Sequence, residues 1–402
     1  MTKIKKLVIG LINWFAENIP LIPRKLTACI ARLLPLRNTI LLESKPPFTD
    51  NTVAVYEELL RRGYNKKYKL IWIAHSETDK TDLPENVSVL NLRRSYFTYN
   101  ISGRWTIARA KYIIDCNGYV HKTNRRSTRI HLTHGLPIKS VPWYNQKVGA
   151  VELLCVSAEY WVKESAQNYL VPQQIVKPLG FPRNDILMHP VLHERKSLIW
   201  MPTYRVHGGM LASHVRESAL YREKMPFGLP CVQSIADLQE LNDLAASFDA
   251  DLYIRLHPAQ DVSGINLHDL SNICVCDNAY LQQRDISLYF MLRETDALIT
   301  DYSSIYYDYL LLDKPIAMVV SDFEDYSQNN GLLEDTLEKY MQAHPAVYVQ
   351  SLAELKQFMR NVLDGKDTAR EQRQAAKEKY MGAQTDHAAA NVVDYMEQHF
   401  GL

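Results

Sequence analysis

The chain lacks the spacings that announce most cofactor and metal chemistries. It has no GxGxxG, no Walker loop and no GxSxG elbow, so a dinucleotide site, a P-loop and a serine-hydrolase nucleophile have no sequence support. No convincing pair of acids stands at a predicted strand end in the manner of a DxD metal site. Cysteine is sparse. The six residues, at 29, 116, 155, 231, 274 and 276, form neither a CxxC pair nor a Cys/His finger. Cys274 and Cys276 fit one face of a buried strand, and such usage suits a reducing cytoplasm. Net charge is nearly absent too. The balance of +1 carries no nucleic-acid signature for the chain as a whole.

The charge that is present is unevenly spread. Residues 1–37 hold seven Lys and Arg against one acid, Glu17, while the remainder has 39 bases and 44 acids. Ile4, Leu7, Val8, Leu11, Ile12 and Phe15 recur at helical spacing behind Lys3, Lys5 and Lys6, and Pro20 and Pro23 break the pattern. This run is too short to span a bilayer, which takes about 20 residues. A signal peptide would need a small-x-small cleavage site, and none follows closely. Residues 1–38 are therefore expected to form a basic amphipathic helical segment lying on an anionic membrane surface. The alternative is an ordinary helix packed on the body.

From Thr39 the pattern becomes strand, helix, strand. TILLES, YKLIWIAH, VSVLNL and AKYIIDCN read as strands, with TVAVYEELLRRGY and residues 95–110 as helices between them. STRIHLTHG, VELLCVSAEYW and QQIVKPLGF extend the series. After the polar connection HPVLHERKS the alternation restarts with SLIWMPTYR and runs on through ADLYIRLHP, NICVCDN, DALIT and PIAMVV. The reading is an α/β protein with two Rossmann-like domains, 39–190 and 191–402, facing each other across a cleft.

Polar clusters stand where the predicted strands end, which is where open α/β sheets bind ligands. Thr133-His134-Gly135-Leu136-Pro137 puts a histidine on a turn. Gly180 to Asp185 closes the first domain, and alone it is a turn with an N-cap. Met201-Pro202-Thr203-Tyr204-Arg205 follows the first strand of the second domain. Arg255-Leu256-His257 places Arg and His on one side of a strand end, able to meet an anion and a proton together. The richest stretch is DALITDYSSIYYDYLLLDKP, residues 296–315. A strand ending at Ile299 feeds a turn with N-cap chemistry, and a helix runs from Ser304 to Leu312. Free backbone N–H groups and the hydroxyls of Ser303 and Ser304 converge on an anion position, with Asp308 one turn on. The plain alternative is a well-capped crossover helix.

Taken in order, these segments resemble the CDP-glycerol glycerophosphotransferases, the teichoic-acid polyol-phosphate transferases. THGLPIK is similar to that family's WHGTPLK, GFPRND to GYPRND, MPTYR to APTWR, RLHP to an Arg-x-His segment, and TDYSSIYYD to TDYSSxxxD. ESKPPFTDN with AVYEELL is similar to its opening segment, so the match runs over about residues 40–335. Thr133 stands for the family's Trp, Leu136 for its Thr and Tyr204 for its second Trp.

The resemblance implies a GT-B arrangement and peripheral attachment at the cytoplasmic face of the membrane. It also implies transfer of a polyol phosphate from a CDP-linked donor to a lipid-linked saccharide acceptor. Because acids for a metal are lacking at the strand ends, no metal or other cofactor is expected, and the donor's charge falls to Arg, backbone N–H groups and a helix dipole. Substrate contacts carried over by motif are Thr133, Gly135, Leu136, Pro137, Arg183, Pro202, Thr203, Arg205, Arg255, Leu256, Ser303, Ser304 and Asp308. His134 is the expected general base, since an imidazole can be neutral at cytoplasmic pH. His257 is expected to serve the leaving CMP. A GT-B glycosyltransferase using a nucleotide sugar is the alternative, and a catalytically degenerate scaffold is a third reading.

Overall fold

The structure is a computed structural model, and it describes residues 30, 33–74, 82–92, 101–138, 148–189, 191, 193, 195–203, 225, 227–257, 270–330 and 332–402. The amphipathic segment expected over residues 1–38 lies almost wholly outside these. No helix among the described residues is long and apolar enough to cross a membrane.

The chain divides into two compact units. The first takes residues up to His134, then 143–183 and 387–402; the second takes 135–142 and 184–386. In the first unit the elements run β1 (Arg37–Glu43), α1 (Asp50–Arg61), β2 (Lys69–Ala74), β3 (Val87–Asn91), α2 (Ile101–Arg109), β4 (Ala110–Asp115), β5 (Thr128–His131), β6 (Leu153–Val156), α3 (Tyr160–Asn168) and β7 (Val176–Pro178). The strands are short and apolar on both faces, which suits a parallel sheet covered on both sides. They pair in parallel in the order β3-β2-β1-β4-β5-β6-β7. Ile40, Leu42, Leu70, Trp72, Ile114 and Ile130 form the core under α1.

The second unit runs β8 (Ser197–Trp200), α4 (Ile235–Ser247), β9 (Asp251–Ile254), β10 (Ile273–Val275), α5 (Asn278–Gln283), α6 (Leu288–Arg293), β11 (Ala297–Thr300), α7 (Ile305–Tyr309), β12 (Ile316–Val319), α8 (Phe323–Asn330), α9 (Leu337–Ala343), β13 (Val347–Val349), α10 (Leu352–Leu363) and α11 (Arg370–Met381). Its parallel sheet has the order β10-β9-β8-β11-β12-β13. The reversal at β8 and β11 sends neighbouring crossovers to opposite sides and opens space at the strand ends.

Three expectations are corrected. The last helix, α12 (Ala388–Phe400), belongs to the first unit rather than to a domain spanning 191–402. Val392, Val393 and Met396 join the core of the first sheet, and Arg62 of the first unit pairs with Asp394 at 2.6 Å and Glu397 at 2.9 Å. The crossing between units also falls after Arg183, not at residue 190. In addition, the helix expected from Ser304 to Leu312 is two short pieces. α7 ends at Tyr309 and a 3-10 turn covers Leu310–Leu312, stopped by Asp313 in the left-handed region at φ 51.

Candidate active site

In the first unit the chain leaves β5 through Leu132 and enters a turn at Thr133-His134-Gly135. Thr133 has φ 57, a left-handed conformation that costs a β-branched residue about 1–2 kcal/mol. Gly135 follows at φ 154. The histidine is thus carried on a bent turn, as its setting between a strand end and Gly-x-Pro implies.

Residues from the start of α1 and from the segment after β7 hold this turn. Asn51, fully buried, donates from Nδ2 to the Thr133 carbonyl at 2.9 Å and to the Leu132 carbonyl at 3.5 Å. Its Oδ1 accepts from the backbone N–H of Arg183 at 3.1 Å. Arg183 Nη1 donates to Asp50 Oδ1 at 2.6 Å and to the His134 carbonyl at 2.7 Å. Arg183 was expected to touch the donor; in the structure its guanidinium also braces the His134 backbone.

Burial lowers the His134 pKa below its ordinary 6.5. The Asp50 carboxylate and a hydrogen bond with the Cys116 backbone oppose that shift, while Arg183 and His131 add to it. The imidazole is therefore neutral near pH 7 and able to take a proton.

A buried ion-pair cluster lies at the ends of β4 and β5. Arg129 Nε donates to Asp115 Oδ2 at 2.6 Å, and His131 Nδ1 lies 2.6 Å from Asp115 Oδ1. A third bond runs from Arg129 Nη1 to the Val148 carbonyl. Burial alone would raise the Asp115 pKa, but the Arg129 and His131 charges beside it pull it down to about 2.

In the second unit, β8 and β11 are neighbours, so Pro202-Thr203 and the turn after Thr300 emerge side by side. Asp301, fully buried, joins them. Its Oδ1 accepts from Thr203 N at 2.8 Å, Thr203 Oγ1 at 2.6 Å and Tyr302 N at 2.6 Å. Tyr340 Oη donates to the Asp301 carbonyl at 2.9 Å. The turn is therefore shaped by Asp301 and not by serine capping. Ser304 occupies the N-cap position in a helical conformation and makes no side-chain capping bond. Ser303 and Ser304 are both half-buried.

Asp308 is 2% exposed, and both of its oxygens are engaged by protein. Asn184 Nδ2 donates to Oδ1 at 2.8 Å and Tyr289 Oη to Oδ2 at 2.9 Å. Arg255 turns to the neighbouring strand end, donating to the Cys276 carbonyl and to Asn278 Oδ1, each at 2.8 Å. His257 is exposed at the end of β9, Leu256 packs on the core edge, and Leu136 is buried with Pro137 half-buried. Arg205 lies outside the described residues. A cavity of about 930 Å³ at the ends of β12 and β13, with Asp322, Ser321 and Gln350 in its lining, includes none of the expected site residues.

The structure thus brings the expected residues into two groups, one in each unit. His134 and Arg183 meet in the first; Thr203 meets the turn of Ser303 and Ser304 in the second. Asp50, Asn51, Asp301 and Tyr289 were not singled out from the sequence as site residues. Their signal was present only as company, since Asp50 and Asn51 end the family-like ESKPPFTDN and Asp301 belongs to TDYSS.

A sequence profile of the CDP-glycerol:poly(glycerophosphate) glycerophosphotransferase family matches residues 27–398. The chain belongs to this family. It is 24% identical over 341 residues to the teichoic acid poly(glycerol phosphate) polymerase of Bacillus spizizenii, covering 75% of this chain and 78% of that protein. It is 27% identical over 186 residues to the teichoic acid ribitol-phosphate primase of the same organism, covering 42% of this chain and 41% of that protein. With the ribitol-phosphate polymerase TarL of Staphylococcus aureus it shares 22% identity over 357 residues, covering 81% of this chain and 57% of that protein. The chain thus spans less than two thirds of the latter two proteins. A solved structure of the wall teichoic acid polymerase TagF matches with a TM-score of 0.71 at 18% identity, covering 100% of this chain and 99% of that one. That likeness is one of fold, and it agrees with the two Rossmann-like α/β units of this glycerophosphotransferase family member.

Proposed function

We propose that the protein transfers glycerol phosphate, or a related polyol phosphate, from a CDP-linked donor to a hydroxyl of a lipid-linked or glycan acceptor. The observation that carries this reading is the neutral His134, held on a braced turn in a chain that belongs to the glycerophosphotransferase family. His134 takes the proton of the acceptor hydroxyl. The acceptor oxygen forms a bond to the phosphorus that bears the polyol. The bond from that phosphorus to the bridging oxygen breaks, and CMP leaves with the electron pair. The turn of Ser303 and Ser304, fixed by Asp301 to Thr203, supplies backbone and hydroxyl donors to the donor phosphates. His257 attends the leaving CMP. The protein's own groups carry the phosphate charge in this scheme, and a chelator leaves turnover unchanged. The basic residues 1–37 place the protein on the cytoplasmic face of the membrane.

The test is a product screen of the purified protein with CDP-glycerol, CDP-ribitol and common nucleotide sugars. Release of CMP with the phosphate transferred supports the reading. Release of a nucleoside diphosphate with a sugar transferred overturns it in favour of glycosyl transfer. His134→Ala and His257→Ala are each expected to lower the rate by about 10²-fold or more.

A further inference from the structure

We propose that Asn51 is the positioning residue of His134, the side chain that sets where the base stands. The inference rests on the assignment of His134 as base. Asn51 lies at the start of α1 with no exposed surface, and its amide joins two segments distant in sequence. The Nδ2 end donates to the carbonyls of Thr133 and Leu132, and the Oδ1 end accepts from the Arg183 N–H. A carboxamide supplies a donor to one partner and an acceptor to the other without carrying charge.

Both bonds act on His134. Thr133, the residue before it, sits in a left-handed conformation that it would leave if released. Relaxation of Thr133 swings the peptide that carries the imidazole. Arg183, the other partner, binds the carbonyl of His134 itself at 2.7 Å. Its guanidinium is aimed there only while its own backbone is fixed, and Asn51 Oδ1 is what bonds its N–H. One buried amide therefore governs the backbone on both sides of the base. A buried asparagine that merely supports the fold would affect stability alone, and the two roles separate in kinetics.

The experiment compares the purified full chain with Asn51→Asp and Asn51→Ser, using CDP-glycerol as donor and normalising turnover to the folded fraction by circular dichroism. Asn51→Asp keeps the shape but turns the donor end into an acceptor facing two carbonyls. Asn51→Ser is the milder change and keeps a hydroxyl that can still donate. The expected result is a kcat lower by about 10- to 100-fold with a donor KM within about threefold of the original, because misplacing a catalytic group by about 1 Å costs on that scale. The acidic limb of the pH–rate profile should also move up as the imidazole gains solvent. The groups facing it are Asp50, Arg183, His131 and the Cys116 backbone. An unchanged kcat in the folded variants overturns the inference, and so does a raised KM with kcat intact. His134→Ala is the control. If it keeps the original turnover, the base assignment falls and the inference with it; if it loses turnover while both Asn51 variants keep theirs, the inference alone falls.

Discussion

Asn184 Nδ2 donates to Asp308 Oδ1 at 2.8 Å, and Tyr289 Oη donates to the other oxygen at 2.9 Å. The carboxylate is 2% exposed, so it serves the turn at the second unit's strand ends before it can serve a ligand. Asp308→Ala strips the buried Asn184 amide and the half-buried Tyr289 hydroxyl of their acceptor and is expected to cost about 2–4 kcal/mol. Urea unfolding measures it. A variant that unfolds at the original midpoint but binds donor poorly would make Asp308 a ligand contact instead.

Thr203 is tied to Asp301 through both its N–H and its hydroxyl. Thr203→Val removes a hydroxyl bond to a carboxylate, and a loss near 1.4 kcal/mol of donor binding raises the donor KM about tenfold. Thr203→Ser keeps the bond and should stay near the original KM. Steady-state kinetics on the two variants decides, and equal KM values would remove Thr203 from the positioning of the donor site.

His344 is buried between the Tyr340 carbonyl and the Tyr307 hydroxyl, each 3.0 Å from a ring nitrogen. Burial lowers its pKa to about 4. The unfolded chain takes up this proton near pH 6.5 and the folded chain does not, so stability is full above pH 6.5 and declines as pH falls towards 4. The expected loss from pH 7 to pH 5 is about 2 kcal/mol from this group. His344→Gln should show a correspondingly flatter dependence in urea titrations at the two pH values. Identical slopes would dismiss His344 as the origin.

Asp115 carries the opposite linkage. Its folded pKa is held down at about 2, so its contribution is complete above the ordinary carboxylate range near pH 4 and disappears as pH falls through 2. At neutral pH, Arg129→Met leaves the buried carboxylate without its guanidinium, an expected cost of about 3–5 kcal/mol. Thermal and urea unfolding at pH 7 report it, and a change below 1 kcal/mol would mean that His131 alone suffices.

Much of the fold was legible because parallel strands buried on both faces write themselves as short apolar runs. TILLES, YKLIWIAH and AKYIIDCN correspond to β1, β2 and β4 within two residues. The partner of a helix is another matter. The periodicity of residues 388–400 identifies a buried face and says nothing of which sheet receives it, so α12 was placed with the wrong unit. The site was legible as motifs and illegible as wiring. Arg183 and Asp308 look like ligand-facing groups in sequence, and the bonds that engage them come from Asp50, His134, Asn184 and Tyr289, up to 133 residues away. Asn51 and Asp301 lie within family-like motifs, yet nothing local marks them as joints, since a single amide or carboxylate becomes one only when distant segments reach it.

The return of α12 to the first unit has a consequence for biosynthesis. Leu402, 8% exposed, and the face of α12 complete a core whose other members begin at Ile40. On the ribosome that core stays open until residues 388–402 emerge, so the unit translated first is closed last. The His134 turn, which belongs to that unit, is then finished only after the second unit has been translated.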